Sequence, residues 1–556
     1  MISRFRLRFG RAPGMPPDWT DAPPVTVFVG PNNSGKSKIL SELHQFCSTG
    51  NHAGGEVILG ELEFVGFAPK EANELVEIIK VEPRPGEARP GLVILESRGR
   101  RSQQVALPNL LNSLQNPNAS LGVFCSCFAS FYTLLLDGRR RIDLVNQQSA
   151  GDLQGRPQSS FQVLFRDRAK RCEVRRIVAD ALGLYFVVDP TNLGQLRIRL
   201  SRRPPDNDLE ECGIHEEAVK FQAAAPLIDS FSDGVKAFTG IVTELIAGDP
   251  RVMLIDEPEA FLHPSLAFKL GCALSRAALD SNKRVFASTH SPFFVRGCVQ
   301  SGAPVNIVRL TYREETATAR LLPSSELIKL MRNPLLRSTG VLSGLFYECV
   351  VVAESDADRA FYEEINERLL RFKPDWGIPN CLFINAQNKQ TVQTIVGPLR
   401  NLGIPAAGVV DIDVLKDGGC VWTDLLDSAF VPSMSHQSLA TLRAALKKAM
   451  EETGKNMKRD GGVSILSSTD QEAARNLLAQ LAEYGIFVVA GGELESWLGH
   501  LGATGHGPPW LIDIFERMGE DAEAANFVRP SGDDVWEFLG KIKTWLVDPK
   551  RKGIPA

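Results

Sequence analysis

The chain has 556 residues, 44% of them hydrophobic and 23% charged, with a net charge of −4. That length exceeds one ordinary core, and the composition excludes a disordered or fibrous chain, so two or three globular domains are expected. The near-neutral balance provides no chain-wide attraction to polyanions, and any nucleic-acid site would have to come from local charge.

The first residues, MISRFRLRFG, are basic and alternate, as a strand does, and they contain no apolar segment of the secretory kind. VTVFV (25–29) is a continuous apolar run, the mark of a strand buried on both faces of a parallel sheet. EVILGELEFVGF (56–67) and LVILE (92–96) suggest antiparallel strands added beside that sheet. From Arg98 to Arg203 the chain holds 17 Lys or Arg against 7 Asp or Glu, including GRRR (138–141) and RDRAKRCEVRR (166–176). This excess suggests an inserted lobe, at about residues 50–225, that faces a polyanion. Within it, ASLGVFCSCFASFYTLLL (119–136) is charge-free but rich in β-forming residues, so buried strands are expected rather than a membrane helix. SRRPPDNDLEEC (201–212) suggests a loop that closes the lobe. The ten cysteines form no CxxC pair and no zinc spacing; Cys125 and Cys127 are expected as core residues of a reduced, cytoplasmic protein.

Directly after VTVFV, Gly30 to Ser37 fits GxxxxGK[ST] between a strand and a helix. In such a loop backbone amides curl around phosphates, Lys36 reaches the β/γ oxygens and Ser37 ligates Mg²⁺. Gly30, Asn32, Asn33, Ser34, Gly35, Lys36, Ser37 and Lys38 are the candidate nucleotide contacts. RVMLIDEPEAFLHP (251–264) supplies an acidic strand end: Asp256 for the Mg²⁺ shell, Glu257 as general base toward water. SFSDGVKAF (230–238) opens a helix with Ser232, Asp233 and Gly234, a candidate anion site. ASTHSP (287–292) follows another strand and brings His290 toward the γ-phosphate.

A second α/β unit is expected from 345 to 556, after a first domain of 1–340. YECVVVAESDADRAFYEEI (347–365) puts Glu354 at a strand tip, with Asp356 and Asp358 in the turn that follows. VVDIDVL (409–415) puts Asp411 and Asp413 at another, two residues apart and so able to face one site. Carboxylates converging from adjacent strand tips call for hard divalent cations, Mg²⁺ or Mn²⁺, and paired ions there suit phosphodiester cleavage. GGELESWLGH (491–500) follows a third strand and adds Glu495, then Glu493, as candidates. His500 and His506 are expected to be structural or solvated. A helical insertion is expected at about 435–465.

GPNNSGKS, LIDEPEAFLHP and STHSP resemble the ABC-type ATPases of the SMC, recombination-repair and OLD (overcoming lysogenization defect) branch. The turn FSDGVK keeps the serine and one glycine of that branch's signature but carries Asp233 in place of the other. The Glu354…Asp411-x-Asp413 order resembles the Toprim domain, and the two together resemble the OLD family over nearly the whole length, with parts shared by Gabija- and PARIS-type phage-defence proteins. The resemblance implies ATP and Mg²⁺ as cofactors and a homodimer or larger assembly through the ATPase heads. It further implies metal ligation by Glu354, Asp358, Asp411, Asp413 and Glu495 and nucleic-acid cleavage in antiphage defence, with a second defence protein as a possible partner. It also implies a late assisting lysine, for which Lys541 and Lys543 are candidates. Two alternatives stay open: a triggered scaffold whose Toprim unit cuts RNA such as tRNA, and a DNA-repair ATPase with an inactive Toprim. Six tyrosines and no separate breakage domain argue against a topoisomerase.

Overall fold

The computed structural model describes residues 1–555 except 53, 85, 87, 88, 98, 99, 103, 314, 335 and 337–339. Arg98, at the start of the basic stretch, lies outside the described residues. The chain divides into two compact units, Met1–Ser324 and Ser325–Ala556. The division precedes residue 340, the boundary suggested by the sequence, because the last strand of the first unit's main sheet already ends at Leu322.

That sheet has six strands, β1 (Val25–Val29), β2 (Thr133–Leu136), β3 (Val252–Asp256), β4 (Arg284–Ser288), β5 (Val305–Arg313) and β6 (Thr316–Leu322). They lie in the order β6-β5-β1-β4-β3-β2, all parallel except the β5–β6 hairpin. Every residue of β1 is buried, as its unbroken apolar run requires. The phosphate loop, the acidic strand end and the STHSP turn all leave the same, C-terminal edge of this sheet, where open α/β folds form their crevices.

The antiparallel strands do not extend this sheet. Ile2–Leu7 pairs with Trp19–Asp21 and Leu59–Phe64 in a sheet of its own, and Leu92–Ser97 joins a further small one. The first packs onto the main sheet through Phe5, whose ring centroid lies 6.1 Å from Phe28 and 5.9 Å from Phe286. The charge-free stretch also departs from expectation. Leu121–Phe124, Cys125–Ala129 and Ser130–Tyr132 are helical, the middle turn a π-helix, and only Thr133–Leu136 is a strand. Phe124, Phe128 and Tyr132 recur every fourth residue and pack at 5.5 and 4.8 Å between ring centroids. That spacing is the helical period, and it outweighed β propensity. No described helix is long and apolar enough to cross a membrane.

Part of the basic excess pairs within the lobe. Arg171 pairs with Glu211 and Asp208, each at 2.9 Å, and Arg175 also binds Glu211. Asp189 holds Arg197 at 2.8 Å and Arg199 at 2.6 Å, while Arg203 pairs with Glu210. Glu211 sits on the short helix Asp208–Cys212, inside the segment expected to be a loop. Arg171 and Arg175 join the helices Arg168–Leu182 and Asp208–Cys212, Asp189 braces the hairpin Tyr185–Asn192/Gln195–Ser201, and Arg175 donates to the Phe186 carbonyl at 2.8 Å to link the two. Pairs of this kind order the lobe, while Arg139, Arg140, Arg156, Arg166, Arg168, Arg176 and Arg202 stay exposed.

The second unit is built on four parallel strands, β7 (Cys349–Ala353), β8 (Cys381–Asn385), β9 (Ala406–Asp411) and β10 (Ile486–Val489), in the order β8-β7-β9-β10. Its core gathers Phe361, Tyr362, Trp510, Trp536 and Leu539. Arg400, wholly buried, donates to the carbonyls of Ala406, Ala429, Tyr484, Gly485 and Gly553. Its removal strands several buried acceptors. Arg400→Met is therefore expected to destabilise this unit by about 3 kcal/mol or more, read as an earlier urea midpoint for this unit's tryptophan signal.

Candidate functional site

The phosphate loop is shaped by two glycines that no other residue could replace. Gly30 has φ 144°, and a Cβ there would lie 2.0 Å from the Leu310 carbonyl oxygen. Gly35, at φ 92°, caps the helix Lys36–Thr49, and its Cβ would fall 2.3 Å from Ile58. Asn33 also takes a left-handed φ of 59°. Lys36 is buried and folds back along the loop, donating to the carbonyls of Gly30 at 2.9 Å and Pro31 at 2.6 Å. Burial pushes its pKa down to about 8 against the pull of Glu257, Asp256 and Glu259. Asn32 and Asn33 are exposed on the loop and Ser34 is buried beneath it. Lys38 is exposed and pairs with Glu42 at 3.9 Å.

The acidic strand meets this loop. Ser37 Oγ donates to Asp256 Oδ1 at 2.8 Å, and Ser288 Oγ donates to the same oxygen from neighbouring β4. Glu257 stands at φ 48°, a conformation held by its own N–H donating to the Ser288 carbonyl at 2.9 Å. His290 Nε2 lies 3.9 Å from Glu257 Oε1, and burial pushes the imidazole pKa down. Ser232 is the N-cap of the helix Asp233–Ala247, and Gly234 lets that turn touch the acidic segment, since a Cβ there would lie 2.4 Å from the Phe261 carbonyl oxygen.

Two residues here escaped the sequence reading. Glu259 Oε1 accepts the His290 N–H at 2.9 Å, which ties the acidic segment to the histidine turn. Arg141, counted in the basic run, is buried and its guanidinium donates to the Glu257 carbonyl. A hydrogen bond from a charged donor is worth about 1.5–3 kcal/mol, so Arg141→Met should slow ATP hydrolysis about tenfold or more. Nucleotide titration should show unchanged ATP affinity, which separates lost positioning from lost binding.

In the second unit three strand tips converge. Glu354 follows β7, Asp411 ends β9, Asp413 lies in the 3-10 turn Ile412–Lys416, and Glu493 follows β10. Glu354 Oε1 accepts the Asp411 N–H at 2.9 Å. One ligand atom each from Glu354, Asp411 and Asp413 lies within 4.8 Å of the others. Burial, then mutual repulsion, raises the pKa of Glu354; burial raises that of Asp411 despite its bond to Lys458. Asp413 Oδ1 is buried and accepts no hydrogen bond among the described residues. An orphaned anionic oxygen in a clustered carboxylate set fits a divalent cation.

Around this centre the outcomes differ. Asp358 commits one oxygen to a capping box, accepting from Ser355 N at 3.0 Å and Ser355 Oγ at 2.6 Å at the start of the helix Asp356–Phe372. Asp356 is held outside by Arg359 at 2.8 Å. Glu495 lies with Glu493 and His506 in a second group whose ligand atoms fall within 4.8 Å of one another, and His506 Nδ1 is 2.7 Å from Glu495 Oε1. His506 reaches this carboxylate pair from the solvent side, its side chain 64% exposed. Two lysines reach the centre, Lys458 at 2.7 Å from Asp411 Oδ2 and Lys389 at 3.2 Å from Asp413 Oδ2. Lys541 pairs with Glu537 at 2.9 Å and Lys543 donates to the Asp375 carbonyl at 3.0 Å.

Residues 175–296 match the family model described as "AAA domain, putative AbiEii toxin, Type IV TA system". Beside that match, Lys36, Ser37 and Asp256 have the geometry of a P-loop nucleotide site. No curated relative matches the chain. Solved structures similar to it include an SMC head bound to the C-winged helix domain of ScpA, 14% identical, covering 59% of this chain and 99% of that one, TM-score 0.33. Another is the SMC head domain from Thermotoga maritima, 13% identical, covering 58% and 99%, TM-score 0.30.

Proposed function

We propose that the protein is an OLD-like, ATP-regulated nuclease whose Toprim-type centre in the second unit cuts nucleic acid with divalent ions. The convergence of Glu354, Asp411 and Asp413 from adjacent strand tips carries this reading. Ser37 and Asp256 would hold Mg²⁺ with ATP. Glu354, Asp411 and Asp413 would hold the ions of the second centre, with Glu495 and the free oxygen of Asp358 beside them. Bound there, divalent ions supply a lowered water pKa and charge neutralisation at the leaving oxygen. Glu257 would take the proton of water attacking ATP, and His290 would touch the γ-phosphate.

ATP binding would join two copies through the Ser232–Gly234 turn, giving a homodimer or a larger assembly that licenses cutting. A cytoplasmic role in antiphage defence, alongside a second defence protein, is the biological setting this composition suits. A second reading keeps the same centre and has it cut RNA such as tRNA only after a trigger. Incubation with plasmid or tRNA, Mg²⁺ or Mn²⁺, and with or without ATP tests both. Metal-dependent cutting that Glu354→Ala abolishes is the expected result. Absence of cutting on every substrate, with ATP hydrolysis intact, would leave a repair-type ATPase with an inactive second unit.

A further inference from the structure

The carboxylate centre already contains a cation of its own. Lys458 lies between the helix Ser433–Glu452 and the 3-10 turn Gly462–Ile465, in the segment expected as a helical insertion. Its ammonium stands 2.7 Å from Asp411 Oδ2, 3.7 Å from Glu493 Oε2 and 4.0 Å from Asp413 Oδ2. Three carboxylates from two segments share one ammonium, much as they would share a metal ion.

The backbone of this lysine is pinned to the loop that carries Glu493. A Cβ on Gly492, at φ 126°, would fall 2.0 Å from the Lys458 carbonyl oxygen, and one on Gly462 2.1 Å from that of Ala490. Val463 N–H donates to the Ala490 carbonyl at 2.9 Å, closing the same contact. The segment is thus held in place while the four-carbon stem of Lys458, 26% exposed, can still swing outward. Lys389 behaves differently. It approaches Asp413 at 3.2 Å but is also held by Asp417 at 3.1 Å and by the Asp413 carbonyl at 3.2 Å. Among the described residues, every ion pair of Lys458 is to a carboxylate of the centre.

We propose that Lys458 is a tethered competitor for the divalent ion: its ammonium must leave the Asp411–Glu493 position before an ion can settle there. An ammonium and a divalent cation at such short range repel, so the two occupy the carboxylates in alternation. The ammonium offsets part of the metal-free centre's negative charge, and ion affinity is set by a loop outside the strand tips. This role presupposes the metal-centre reading of Glu354, Asp411 and Asp413.

The test is Mn²⁺ titration of the metal-free full-length protein, with free ion followed by electron paramagnetic resonance. Lys458→Gln should bind about tenfold tighter than wild type, whereas Lys458→Arg, which keeps the charge, should bind as wild type does. Metal-free Lys458→Gln should also melt below wild type and be restored by Mn²⁺, because the bare carboxylates then repel one another. Equal or weaker Mn²⁺ binding by Lys458→Gln overturns the competition, as does a matching gain in Lys458→Arg. Asp411→Ala separates the two levels. If it takes up as much Mn²⁺ as wild type, the metal centre fails and the competition with it; if it loses an ion while Lys458→Gln gains nothing, the competition alone fails.

Discussion

Lys36→Ala protein is expected to lose ATP hydrolysis by about 10²–10³-fold or more, the scale of removing a preorganised charge from a transition state. In a loop of this pattern the lysine reaches the β/γ-phosphate oxygens, and here the loop is already folded around it through the Gly30 and Pro31 carbonyls. Its depressed pKa, about 8 from burial, marks an ammonium short of counter-charge that a triphosphate would complete. Phosphate release measures the effect. Retention of more than a tenth of wild-type turnover would show that phosphate charge is met elsewhere. A circular dichroism spectrum like that of wild type shows that the fold survives.

Asp411→Ala should be as selective in the opposite sense, ending nucleic-acid cutting while ATP hydrolysis continues at the wild-type rate. Loss of an outer-shell partner of a metal ligand costs roughly 10–100-fold, so loss of the ligand itself should exceed that. Asp411 also pairs with Lys458 through its side chain, so the substitution removes a metal-ligand oxygen and releases that ammonium, while the backbone N–H that holds Glu354 is kept. Asp411→Asn, which keeps shape and backbone contacts, should fail equally, because an amide cannot supply the anionic oxygen. Normal cutting by either variant would place the chemistry away from these strand tips.

Together the two variants make a crossed pair, one blind in each unit. Under the proposed regulation Lys36→Ala also alters cutting, through the missing ATP state and not through the carboxylates, so its Mn²⁺ uptake should match wild type.

What could be read before any fold was known is what depends on neighbours in sequence. The phosphate loop needs glycines at two positions, a lysine and a serine within eight residues, and the strand and helix that flank it; all of that is local covalent geometry. Acids at the ends of VMLID, VVVAE and VVD were legible because a strand buried on both faces can carry a charge only at its tip. Ser355 and Asp358 show the limit of this logic: an Asp three residues after a Ser at a helix start satisfies a capping box as readily as a metal.

The misread residues are those whose partners lie far along the chain. Arg141 sits in GRRR yet serves Glu257, 116 positions later, and Arg171 and Arg175 meet Glu211 from another element. A charge count along the chain registers these arginines as excess, because burial pairs charges in space and composition cannot see the pairing. Lys458 and His506 carried no motif at all, and each acquired a role only when folding set it against carboxylates from other segments. Pattern and local stereochemistry therefore dictate which elements form and which end of each carries chemistry. The choice of which cation faces which anion belongs to the packed chain, since desolvation makes such pairs compulsory only once the segments have come together.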